Sequence, residues 1–181
     1  ITNAQFEAFV QDGGYTEQRW RSCWTKAGLR WKEDRTGPEK HGGVYDLPNH
    51  PVVMITWYEA VAFCNWLGQS LGRPIRLPSE AQWERAVRHT DGRRYPWGDD
   101  MITPGHANFN ETGIGTTTAV GIFPQGASQC GALDMSGNVR EWCLTKWRDN
   151  YNSPPDNNSR GDITRVLRGG SFGLRDFVRC A

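Results

Sequence analysis

The stretch HPVVMITWYEAVAFCNWLGQSLG, residues 50–72, decides the fold. Residues 52–55 form a short apolar run, either a buried strand or an extended lead-in. Thr56 follows as a helix cap. Glu59, three positions later, completes a capping box, so both ends of the first turn gain hydrogen bonds that the backbone alone leaves unmade. Val61, Cys64, Leu67 and Leu71 then recur at helical spacing, and Gly72 ends the helix.

The same grammar extends outward. In IRLPSEAQWERAVRH, Pro78 stops an extended segment, Ser79 caps a second helix with Gln82 at the box position, and Trp83, Ala86 and Val87 form its apolar side. Upstream, ITNAQFEAFVQDGGY reads as a helix capped by Thr2 or Asn3, with Phe6, Phe9 and Val10 on one face and Gly13-Gly14 as its stop. Residues 16–50 are polar, Trp-studded and without clear periodicity. Beyond His89 the helical signals fade. Residues 101–131 read as long loops with short strands, GALDMSGNVREWC carries a Gly-Asn turn, and TRVLRGGSF reads as a final strand with Val166 inward. The expected class is α+β, one domain over residues 1–181, with two helices flanking a small twisted antiparallel sheet. Loops this long need something to order them, and metal ions or tryptophan packing are the candidates.

Composition bounds the function. The 181 residues suit one core. A net charge of +1, from 21 basic and 20 acidic residues, gives no electrostatic case for nucleic acid or an anionic membrane. No apolar run nears the roughly 18 residues of a membrane-spanning helix. The nine tryptophans and 21 glycines point to aromatic packing under glycine-rich turns. The five cysteines, Cys23, Cys64, Cys130, Cys143 and Cys180, are odd in number and form no CxxC pair, so reduced thiols are expected rather than disulfides or zinc. The chain opens on Ile1 rather than Met, as a trimmed piece would, and a cytoplasmic location is favoured.

Seven stretches in order, ITNAQFEAFV, HPVVMITWYEAVAFCNWL, RLPSEAQWERAVR, YPWGDD, ANFNETGIGTTTAVGIFP, GALDMSGNVREW and RVLRGGSF, resemble the formylglycine-generating enzyme (sulfatase-modifying factor) family. The resemblance implies a loop-rich variant of the C-type lectin fold, here without the family's usual first and last strands. Catalytic members oxidise a sulfatase cysteine with copper held by two cysteines after the Gly-Gly-Ser turn. In this chain FGLRDFV follows Ser171, without cysteine, and Cys180 stands alone. One thiolate does not make the two-sulfur site that Cu(I) favours. Ergothioneine-type relatives use an iron site in a companion domain, and its His-His-Glu spacing does not occur here. The expectation is therefore no copper and a binding module rather than an enzyme, with the copper-dependent oxidase as the alternative.

A further branch, the variable proteins of diversity-generating retroelements, displays ligand-binding residues after the same turn. By that resemblance Phe172, Leu174, Arg175, Asp176 and Phe177 form the contact ribbon, with Trp142 as rim or floor. The partner is then an unidentified protein or small ligand, with an effector domain fused or associated. The resemblance also implies structural calcium at Asp134, Gly137, Val139 and Glu141, and at Asn108 and Phe109, where Thr112 stands at the place of the usual acid and Glu111 is the available substitute. Glu80 and Glu84 read as structural, and His41, His50, His89 and His106 lack ligand spacing. Ser171 lacks the Gly-x-Ser-x-Gly order of a nucleophile turn.

Overall fold

The computed structural model describes residues 1–174; Arg175, Asp176, Phe177 and the rest of the tail lie outside the described residues. Four α-helices precede a two-stranded sheet: α1 (Asn3–Gln11), α2 (Lys26–Lys32), α3 (Trp57–Leu71), α4 (Glu80–Arg88), β1 (Glu141–Lys146) and β2 (Arg165–Arg168). The three expected caps form as capping boxes, Thr2 with Gln5, Thr56 with Glu59 and Ser79 with Gln82. Gly13 at φ +78° and Gly72 at φ +62° take the left-handed conformation beyond α1 and α3. Residues 52–55 pair with no strand. They lead into α3 through a bend at Met54, which has φ +57° and is 76% exposed.

Two expectations need correction. Leu71 is 58% exposed, because α3 buries Trp57, Ala60, Ala62, Phe63 and Trp66 on a broader face than the four-residue stripe read from spacing. Helix α2 forms inside the stretch read as aperiodic, capped by Thr25 onto the Gly28 N–H.

The core has two main parts. Phe6, Phe9, Tyr15, Cys23, Trp24, Ala62, Phe63 and Trp66 pack between α1, α3 and the 3₁₀ turn over Gln18–Cys23. Phe9 is the hub, with rings of Phe6, Tyr15, Trp24, Phe63 and Trp66 at 5.5–6.2 Å. The second part joins Trp83 and Val87 of α4 to Met135, Cys143 and Val166 beneath the sheet. Val166 points inward as expected. β1 and β2 are antiparallel, pairing Glu141 with Arg168 and Lys146 with Arg165 across an irregularity between Trp142 and Lys146. Helices α3 and α4 flank this sheet. Trp57 of α3 donates its indole N–H to the Cys143 carbonyl (3.0 Å), and Trp142 of β1 returns one to Ile55 (3.0 Å). Among the described residues no helix is long and apolar enough to cross a membrane.

Candidate functional site

The chain leaves β2 through Gly169 and Gly170, at φ +92° and +74°. Such angles favour residues without Cβ. The turn is held in a cradle rather than left free. The Gly137 N–H donates to the Gly169 carbonyl (2.7 Å), and the Phe172 N–H donates to the Asn138 carbonyl (3.0 Å). Trp83 lies 3.5 Å from where a Gly169 Cβ would stand. Beyond the turn, the Leu174 N–H returns to Ser171 (3.0 Å), and the Leu174 carbonyl accepts from Asn110 (3.3 Å).

This places the start of the expected contact ribbon. Phe172 and Leu174 are half-buried, seated on the 135–139 and 108–110 segments rather than standing clear. Arg175, Asp176 and Phe177 fall outside the described residues. Trp142 is half-buried and anchored to Ile55.

The cradle contains the residues expected to hold calcium, and the carboxylates of Asp134 and Glu141 are engaged by other partners. Asp134, at φ +57°, accepts from the Gly121 N–H (2.6 Å), and burial raises its pKa. Glu141 accepts from the Trp83 indole (2.5 Å). Desolvation raises its pKa further than the indole bond lowers it. Gly137, at φ +77°, has Asn108 O 2.2 Å from its missing Cβ, so its role is close backbone approach. Val139 belongs to the same loop, its carbonyl 3.7 Å from the Gly169 Cβ position. Asn108 is 1% exposed; its carbonyl accepts the Asn138 N–H (2.7 Å), while its amide donates to Thr116 O (2.8 Å). Phe109 is buried and closes a short turn with Thr112. The amide oxygen of Asn108 and the hydroxyls of Thr116 and Thr118 are buried without partners, the kind of neutral oxygens that a bound water satisfies. Among the described residues no group of three or more His, Cys, Asp or Glu side chains is placed to hold a metal ion. The structural calcium read from the resemblance therefore has no support here.

A carboxylate network beside the turn escaped the sequence reading. Glu80 at the start of α4 accepts from the Tyr151 hydroxyl (2.9 Å) and pairs with Arg168, the last residue of β2. Both groups serve as structural partners, the Arg168 guanidinium donating to the Glu80 carboxylate. The partners are 88 positions apart, so no spacing signals the pair. Glu84 pairs with Arg88 within α4 (2.9 Å), as its structural reading expects.

The four described thiols are free. Burial pushes Cys143 up to about 12 and Cys64 up to about 11, and raises Cys23 as well. Only Cys130 is lowered, chiefly by its hydrogen bond with Ser128. Cys23 and Cys143 are buried and Cys130 is exposed, and Cys180 lies outside the described residues.

The chain belongs to the Sulfatase-modifying factor enzyme 1-like domain family, whose match runs over residues 1–181. It is 35% identical to the hercynine oxygenase of Mycolicibacterium thermoresistibile, over 96% of this chain and 43% of that protein. It is 31% identical to the formylglycine-generating enzyme of Thermomonospora curvata, over 95% of this chain and 68% of that one. Among solved structures it resembles PvdO from Pseudomonas aeruginosa (TM-score 0.61, 29% identity, 79% of this chain and 57% of that one). Treponema denticola variable protein 1 (TM-score 0.60, 23% identity, 79% and 67%) shares the fold. The chain thus spans less than half the length of the hercynine oxygenase it matches.

These likenesses correct two expectations. The reading as a module rather than an enzyme does not stand, since both sequence relatives are enzymes matched across nearly this whole chain. The expectation of no copper, read from the missing cysteine pair after Ser171, is overturned with it, since 95% of the chain matches a formylglycine-generating enzyme.

Proposed function

We propose that this chain is the substrate-holding domain of an oxidising enzyme of the hercynine oxygenase or formylglycine-generating type, on a C-type-lectin-like fold. The observation that carries the reading is the match of nearly the whole chain to both enzymes, which makes this domain the part they share. The double-glycine turn is the part suited to hold substrate. Its backbone is fixed by Gly137 and Asn138, and it presents Phe172 and Leu174 half-buried, with the Asn110 N–H on the Leu174 carbonyl. A fixed backbone with apolar side chains at its rim orients a substrate at little entropic cost. No step is assigned to a metal here.

The test is oxygen uptake by the full polypeptide, reconstituted separately with Fe(II) and with Cu(I). One arm offers hercynine with a thiol, and the other a cysteine-containing peptide. Substrate-dependent uptake in one arm is expected, with kcat/KM lowered at least about tenfold in Phe172→Ala. Saturable binding of either substrate, with no uptake under either metal, returns the chain to the display reading and overturns this one.

A further inference from the structure

Away from the double-glycine turn, a cavity of about 330 Å³ opens between α3, the extended segment after it and the loop over residues 157–160. That volume lies at the lower end for small-molecule sites, about 300–1,000 Å³. Its apolar floor includes Val61, Leu77 and Leu144. Arg76 and Arg160 stand in its lining, and no acidic side chain does. Neither guanidinium has a hydrogen-bond or ion-pair partner among the described residues, although the chain's other arginines near the sheet are engaged: Arg165 with three carbonyls, Arg168 with Glu80. The nearby carboxylates are already occupied, Asp156 by Lys146 (2.8 Å) and Asp162 by Arg30 and Tyr58.

The loop wall is built rather than frayed. Arg165, 5% exposed, donates to the carbonyls of Asn158 (2.7 Å) and Arg160 (3.3 Å) from behind it. The Thr145 hydroxyl holds the Asn157 amide oxygen at 2.7 Å, and the Arg160 N–H bonds the Asn158 side chain (2.9 Å). On the opposite wall the Cys64 thiol stays neutral at physiological pH, so it brings no opposing charge.

We propose that this cavity binds a small carboxylate with an apolar body. The charged end lies with Arg76 and Arg160, and the body rests on Val61, Leu77 and Leu144. The pairing follows from what the lining offers: two cations in want of anions, above apolar surface that gains by leaving water. The site is independent of the reading offered above and makes no use of the turn at Gly169.

Octanoate is a suitable probe, with octanamide as its neutral counterpart, and both can be titrated by calorimetry into the full chain. A second readout is the rate at which a maleimide alkylates Cys64 in a Cys130→Ser/Cys180→Ser background. Octanoate is expected to bind with an affinity on the order of millimolar, at least about tenfold more tightly than octanamide, and to slow Cys64 alkylation. Arg76→Gln/Arg160→Gln should lose that tenfold preference and the protection, while Arg76→Lys/Arg160→Lys keeps most of both. Thermal melts of each variant separate lost binding from lost folding, since the exchanged side chains are exposed and unpartnered. Equal affinity for acid and amide, unchanged binding by the doubly neutral variant, or unprotected Cys64 at saturating octanoate each overturns the proposal.

Discussion

Glu141 shows how much a single side chain carries in this fold. It opens β1, accepts from the Trp83 indole and lies against the second core cluster. Its pKa is raised, first by desolvation and in small part by Asp134. In the unfolded chain the carboxyl titrates near its ordinary value, about 4.3. Between that value and the higher folded one, the native state holds a proton that the unfolded state has lost. Stability is therefore full below the ordinary value and falls as pH rises through the window. Glu141→Gln keeps an oxygen to accept from Trp83 and removes the titration. The melting temperature of the variant relative to wild type should climb in the variant's favour from roughly pH 4 to pH 8. A difference that stays flat across that range would show that Glu141 is solvated in the native state.

At the scale of elements, the lead from α1 to α3 turns on a second buried carboxylate. Glu59 is 2% exposed. One oxygen serves its own capping box, accepting from the N–H (2.7 Å) and hydroxyl (2.9 Å) of Thr56, and the other accepts from the Tyr15 hydroxyl (2.5 Å). Burial first, and then Glu59, drive the Tyr15 phenol far above its usual range, so it remains a donor at every working pH. Tyr15→Phe leaves one carboxylate oxygen buried with no donor and should cost about 1.5–3 kcal/mol in urea unfolding. Thr2→Ala, which removes only an exposed cap on α1, should cost about 0.5–1 kcal/mol. Equal losses would mean that water reaches Glu59. The capping half of this arrangement was legible in the sequence, because a cap and its box partner lie three residues apart. The Tyr15 half was not, because 44 residues separate the pair. Helix α2 was missed for a related reason. It has seven residues, with Gly28 inside, and it is held by packing of Ala27 and Gly28 rather than by a periodic face. The double-glycine turn was legible as a turn. Its cradle was not, since Gly137 and Asn138 meet it only through backbone bonds that any sequence offers.

At the scale of the molecule, the aromatic cluster around Phe9 and the smaller cluster under the sheet must be joined, and Trp57 with Arg165 does much of this. The guanidinium of Arg165 stacks 3.8 Å over the Trp57 ring, while its nitrogens bind the carbonyls of Leu144, Asn158 and Arg160. One side chain thus ties α3, β1, β2 and the loop that walls the cavity. It does so without a carboxylate partner, and desolvation lowers its pKa. A lysine there keeps the charge but has neither the planar fork for three divergent carbonyls nor a face to stack on the indole. Arg165→Lys should therefore cost about 2–4 kcal/mol. The loss should be local in its dynamics. Amide hydrogen exchange should quicken at residues 157–161, and trypsin should cut sooner after Arg160, while the amides of α1 and the first half of α3 keep their protection. Octanoate binding should weaken along with the loop, because Arg160 loses the backbone that holds it in place. If exchange instead rises evenly over the whole chain, Arg165 is a global keystone rather than a clamp on one wall, and the cavity's shape owes nothing special to it.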